Sequence, residues 1–210
     1  MKDKSTEMEN TTSVAEDKTV TPKELVIEAR EKEFAAVKEL GSAFLTMAKE
    51  RWSVRKFKPE QISDTHMSRI LEAGRHAPSA HNNQSQRVLI LQSDEAIAKV
   101  RSVTRWAFNA PTVLLVCTDL TESWKNVDGH DSGEIDAAIA LDHMMLEAWE
   151  CGVGSTWVRG FDEHIMHKAF DLPSEWKVVA IMPMGYPLEK AHPANFHFTR
   201  KEASELYRFL

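Results

Sequence analysis

The chain has 210 residues and a mass of 23.8 kDa, enough to bury a sizeable core as one domain. Its apolar content of 42% fits a globular protein, while a net charge of -6 and a pI near 5.9 exclude a general polyanion binder: there is no broad basic excess to release counterions from nucleic acid. Cys117 and Cys151 form neither a disulfide framework nor a four-ligand metal set, and no leader-like or bilayer-length apolar run is present, which predicts a cytoplasmic protein without a membrane partner.

Residues 1–20 are polar, charged and without periodicity and are expected to form a disordered tail. Thr21, Pro22 and Glu24 then give a helix start with proline at the first helical position, and Val20 and Leu25 stand where a hydrophobic staple would be. Val26, Ala29, Phe34, Val37, Leu40, Phe44 and Met47 recur at mostly three- and four-residue steps. They predict a helical extension over 21–49, with a break near Gly41, packed on its own domain or across a partner subunit. The main domain is expected over 50–210.

At its start, ERWSVRKF (residues 50–57) places Arg51, Ser53 and Arg55 at a junction between elements. Guanidiniums and a hydroxyl at a helix end can hold an anion, since arginine offers several planar donors; a solvated basic turn is the plainer alternative. A helix from about Ser63 presents Met67, Ile70, Leu71 and Gly74 on one side and stops before Pro78. The loop APSAHNNQSQ, from Ala77 to Gln86, is dense in amides that can line a flat polar ligand or satisfy their own turn.

Val88–Leu91 reads as a short strand, Ser93 to about Phe108 as a helix with the Trp106 region turned inward, and Thr112–Cys117 as a central strand. The polar stretch from Asp119 to Gly133 is a candidate mobile rim. From Ile135 to Trp149 the helical pattern is apolar on nearly all sides and needs cover from a thick domain or a second subunit, of which the second is favoured. A short strand over Val153–Val158 follows. Asp162 then caps a brief helix to Phe170, Val178–Met184 is a buried strand, and Gly185–Pro187 is a turn. Helices first, then mixed strands and helices, give an α+β or α/β sandwich.

No GxGxxG, GxxxxGK or GxSxG motif is present. His164 and His167 lack a completing ligand, and Asp128, His130, Asp131 and Glu134 match no familiar metal spacing; a solvated loop is the simpler account. Cys151, at the carboxyl end of a helix, reads as a structural thiol. No acid, base or nucleophile cluster is assigned as catalytic.

Four stretches in order, ERWSVRKF, ILEAGRHAPSAHNNQSQ at 70–86, EIDAAIALDHMMLEAWECGVGSTWVRGF at 134–161 and MPMGYP at 182–187, resemble the FMN-dependent nitroreductase family over about residues 44–210. The resemblance implies an α+β, nitroreductase-like sandwich, its central mostly antiparallel sheet flanked by helices, in a homodimer with FMN at the subunit interface. It further implies that Arg51, Trp52, Ser53 and Arg55 hold the phosphate and pyrimidine edge, with Arg200, or Lys201 in a looser register, completing the phosphate site. Pro78, Ser79, Ala80, Asn82 and Gln84 would come from the other subunit, and Trp157, Arg159 and Gly160 would lie beside the reactive ring nitrogen. NADH or NADPH would be the electron donor and a nitroaromatic or quinone the small-molecule acceptor. A reductive dehalogenase-like or flavin-consuming relative, and a flavin-binding redox sensor without turnover, are the alternatives. Two departures stand out: Gln84-Ser85-Gln86 where proline and tryptophan are frequent, and Arg159 where some relatives carry glutamate, which predicts a positive pocket rim.

Overall fold

A computed structural model describes residue 21, residues 25–29, residue 32 and residues 42–210. The tail expected over 1–20 and most of the extension expected over 21–49 lie outside these residues. What is described of the extension is helical at 25–29, where the Leu25 N–H donates to the Thr21 carbonyl at 3.0 Å. The chain divides into two compact units, residues 42–200 and residues 1–41 with 201–210. In the smaller unit, Glu202 and Glu205 form a reciprocal capping box on a one-turn helix, Ala203–Leu206.

The larger unit opens with α1 (Ala43–Glu50), whose N-cap Ser42 accepts from the Leu45 N–H, so a fresh helix begins just after the break expected near Gly41. α2 (Asp64–Arg75) is capped by Ser63 and buries Met67, Ile70 and Gly74, the face its periodicity dictates. Four strands, β1 (Gln86–Leu91), β2 (Thr112–Asp119), β3 (Gly154–Ser155) and β4 (Trp176–Gly185), form a wholly antiparallel sheet in the order β1-β2-β4-β3.

Every residue of β2 is buried because helices cover both faces of the sheet. Side chains alternate along a strand, so Leu114 and Val116 join one core with α2 and α4 (Gly133–Glu150). Val113, Leu115 and Cys117 join the other, with α3 (Asp94–Val103) and α5 (Glu163–Ala169). At the crossing of α2 and α4, a Cβ on Gly74 would lie 2.6 Å from Met144 Cγ, so the glycine leaves room for Met144 in its present position.

Two elements differ from expectation. The helix begun at Ser93 stops at Val103, because Thr104 turns extended and its hydroxyl donates to the Gly160 carbonyl at 2.7 Å while accepting the Trp106 N–H. The region around Trp106 then forms a 3-10 turn that faces inward through Ala107, 2% exposed, while Trp106 itself is 40% exposed. The strand expected over Val153–Val158 pairs as a ladder only at Gly154 and Ser155. Beyond them β4 presents Pro183, which has no N–H to give, and pairing resumes as one bridge between Val158 and Ile181.

The connection from 120 to 132 closes on its own hydrogen bonds. Asn126 Oδ1 accepts the N–H groups of Asp128 and His130, each at 2.9 Å, and Asp131 accepts from Ser123 Oγ and the Gly133 N–H.

Candidate functional site

α1 ends at Arg51, whose N–H donates to the Met47 carbonyl at 2.8 Å, and the chain leaves in extended conformation. Ser53 then bridges to Ser155 in parallel sense, and the Val54 N–H donates to the Ser155 carbonyl at 3.0 Å. Extended backbone sends alternate side chains to opposite sides. Trp52 and Val54 turn into a small core with Phe57 and Ala110, while Arg51, Ser53 and Arg55 line the cavity outside it. Gly154 makes this seat possible: a Cβ there would meet Val54 Cγ2 at 2.4 Å.

That cavity, of about 240 Å³, is completed by Arg200 with Phe196 and His197 from the 3-10 turn Asn195–Phe198. Arg200 donates to the His197 and Thr199 carbonyls, each at 2.7 Å, which fixes its guanidinium. Arg55 donates to the Ser53 carbonyl at 3.1 Å. The Arg51 guanidinium makes no side-chain hydrogen bond among the described residues. Burial pushes its pKa below the ordinary value, the Asp142 carboxylate opposes that shift, and the Arg200 charge adds to it. Three guanidiniums and a hydroxyl line this one cavity in a net-acidic chain, donors of the kind that can hold an anion.

Arg55 also lines a second cavity of about 250 Å³, walled by Trp106, Phe108 and the extended run Thr156–Gly160. Its guanidinium carbon lies 5.9 Å from the centre of the Phe108 ring. Trp106 packs flat enough on Gly160 that a Cβ there would lie 2.7 Å from Trp106 Cδ1. The two cavities share Arg55 as a wall, one lined by guanidiniums and the other by aromatic rings.

Of the residues singled out in the sequence, Arg51, Trp52, Ser53, Arg55 and Arg200 share the first cavity, and Trp157, Arg159 and Gly160 share the second with Arg55. The amide loop stands apart. Ala80 donates its N–H to the buried carboxylate of Asp136 at 3.0 Å, near the start of α4, whereas Trp52 meets Trp149, near its end, edge-on at 6.4 Å. At 1.5 Å rise per residue these anchors are about 20 Å apart along the helix. The loop's shape is held from within: Ser79 Oγ accepts the Gln84 N–H at 3.0 Å, His81 stacks on Trp124 at 5.2 Å, and His81, Asn82 and Gln84 all adopt positive φ.

Sequence reasoning missed Trp106 and Phe108 as cavity walls, because it carried the helix begun at Ser93 on to about Phe108. It also missed what Arg159 touches. That side chain donates to the Val179 carbonyl and lies 3.4 Å from Glu134, which in turn pairs with Lys177, so the positive rim is partly neutralised. Among the described residues no group of three or more histidine, cysteine or acidic side chains is placed to hold a metal, and His167 Nε2 lies 2.8 Å from the Pro173 carbonyl oxygen. Among them, too, no helix is long and apolar enough to cross a membrane. Cys117 is fully buried and its thiol is pushed up to about 12; Cys151 is shifted in the same direction by burial.

The model of the nitroreductase family matches residues 48–107 and 104–186. A nitroreductase family protein of Clostridium difficile 630 is 31% identical, with 81% of this chain and 98% of that one aligned at a TM-score of 0.74. A nitroreductase-like protein of Desulfovibrio desulfuricans, solved in complex with FMN, is 25% identical over 80% of this chain and 96% of its own, at a TM-score of 0.67. An NADH dehydrogenase of Thermus thermophilus is 25% identical over 186 residues, 71% of this chain and 89% of the relative. With the family match spanning residues 48–186, more than half of the chain, the chain belongs to the nitroreductase family.

Proposed function

We propose that the protein is a homodimeric, FMN-dependent oxidoreductase that takes electrons from NADH or NADPH and passes them to a small electron-poor acceptor such as a nitroaromatic or a quinone. The observation that carries this is the double cavity pivoting on Arg55, with guanidiniums at one end and aromatic rings with extended backbone at the other. FMN has that shape: a phosphate and a flat tricyclic ring. Arg51, Ser53 and Arg200, with Trp52 behind them, hold the phosphate, Arg55 the pyrimidine edge, and Trp157, Arg159 and Gly160 the ring. Bound there, FMN supplies the electron transfer; the protein fixes its orientation, shields it from water and stabilises negative charge on it through guanidinium and backbone donors.

The loop with Pro78, Ser79, Ala80, Asn82 and Gln84 lines neither cavity within one chain. A second copy supplies it in this account, and the uncovered apolar side of α4, with Ile135 63% exposed, forms part of the contact. Residues 50–210 are the cofactor-binding domain, 21–49 a helical extension and 1–20 a polar tail. The acidic chain works in the cytoplasm without nucleic acid or membrane. For a nitro acceptor the balance is ArNO2 + NAD(P)H + H+ giving ArNO + NAD(P)+ + H2O, with solvent able to supply the protons.

Titration of the apoprotein with FMN tests the assignment. Binding is expected at one FMN per chain, weakened about tenfold or more by Arg51→Gln, since each charge-assisted bond to phosphate contributes about 1.5–3 kcal/mol. Undiminished affinity in that variant removes Arg51 from the site.

A further inference from the structure

We infer that Arg159 selects an anionic acceptor, a small aromatic carboxylate whose ring lies against the flavin held in the ring cavity and whose charge meets this guanidinium at the rim. The inference rests on the flavin reading and names the acceptor class within it. The ring cavity is lined by Trp106, Phe108 and Trp157 and by two cations, Arg55 and Arg159, and no carboxylate lines it. A third cation stands at its edge, where the Arg105 guanidinium lies 4.4 Å from the centre of the Trp106 ring. Aromatic faces bracketed by guanidiniums recognise flat anions through ring contact and charge together.

Glu134 is the acid that could cancel this arrangement, and it is shared. Lys177 Nζ holds one of its carboxylate oxygens closely, while Arg159 Nη1 is 3.4 Å from the other. One negative charge between two positive ones leaves a net positive charge, and the looser partner is Arg159, whose side chain is 51% exposed. Its second anchor, the Val179 carbonyl, is neutral. Its remaining N–H donors have no partner among the described residues. The chain's overall charge of -6 disfavours anions at long range, but that field fades beyond about 8 Å at physiological salt, so the local cations decide what enters. In reduction of a nitrobenzoate the carboxylate is a spectator: two electrons and two protons go to the nitro group, one oxygen leaves as water, and NAD(P)H is oxidised.

The test uses the FMN-loaded full chain titrated with benzoate and, separately, its neutral analogue benzyl alcohol, followed by perturbation of the visible flavin band. Benzoate is expected to bind about tenfold more tightly, as a charge-assisted hydrogen bond allows. Arg159→Gln abolishes the difference. Glu134→Gln, which frees Arg159, moves it the opposite way and tightens benzoate several-fold, a gain that a merely structural role for the pair would not produce. The ratio of kcat/KM for 4-nitrobenzoate over 4-nitrobenzyl alcohol follows the same order and falls with added salt. Equal binding of benzoate and benzyl alcohol overturns the inference, as does a preference that survives Arg159→Gln. Weaker binding of NADH or NADPH in that variant, with the benzoate preference intact, also overturns it and assigns the guanidinium to the dinucleotide pyrophosphate. If Arg159→Gln does not fold, the direction of the Glu134→Gln effect decides alone. A chain that binds no FMN fails earlier, by lacking a visible spectrum, and that outcome counts against the flavin reading instead.

Discussion

Gly154→Ala perturbs the seat of the arginine-bearing stretch without touching its charges. The new Cβ would stand 2.4, 2.7 and 2.9 Å from Cγ2, Cβ and Cγ1 of Val54, a side chain with no exposure. Contact with Val54 Cβ itself means that a rotamer change alone cannot relieve the clash; the backbone at Val54 must move, and with it the hydrogen bond from its N–H to Ser155. Overpacking of a filled core costs about 1–3 kcal/mol. At about 2–4 °C per kcal/mol for a chain of this size, thermal melting should fall by about 2–12 °C. Truncation in Val54→Ala costs about 2 kcal/mol by itself. Because it removes two of the three close atoms, the double variant should be less destabilised than the sum by about 1 kcal/mol or more. Melting within about 1 °C of wild type for Gly154→Ala, or strict additivity in the cycle, would refute the packing argument.

Tyr186→Phe removes the hydroxyl that lies 2.9 Å from His66 Nδ1 and accepts the Ser63 N–H at the start of α2; denaturant unfolding should show a loss of about 1 kcal/mol with an unchanged slope. For the thiols, Cys117 held near 12 leaves about one molecule in ten thousand as thiolate at pH 8, so a thiol reagent should label it in the unfolded chain and not in the native one. The sign for stability follows from a folded pKa raised above the ordinary 9.0: the contribution is complete below pH 9 and lost as pH rises toward 12. Cys117→Ala should therefore flatten the fall in denaturation midpoint across that range.

The helices carried by strong local signals were legible from sequence. Ser63 with Met67, Ile70 and Gly74, and Asp162 before its short helix, combine a cap with a periodic face, and both form where the pattern puts them. The apolar run of β2 was legible too, because burial on both faces leaves no alternation to obscure it. The end of α3 was not. Val103-Thr104-Arg105-Trp106 continues an amphipathic pattern, and what stops the helix is a hydroxyl bonded to Gly160, 56 residues away. Pairing of Arg159 with Glu134 across 25 residues is hidden for the same reason, as is the truncation of the last strand by Pro183 on its neighbour. The local stretches of the candidate site could be named residue by residue. The seating of the amide loop on Asp136 and of Trp52 against Trp149 depends on tertiary contacts that no local pattern records.

The central claim is that this chain holds FMN and reduces it with a nicotinamide donor. The most direct measurement is the visible absorbance spectrum of the FMN-reconstituted protein before and after anaerobic addition of NADH or NADPH. The account predicts an oxidised-flavin spectrum that bleaches with one or both donors and recovers when a nitroaromatic or quinone is added. A protein that remains colourless after reconstitution, or a bound flavin that neither donor reduces, would contradict it.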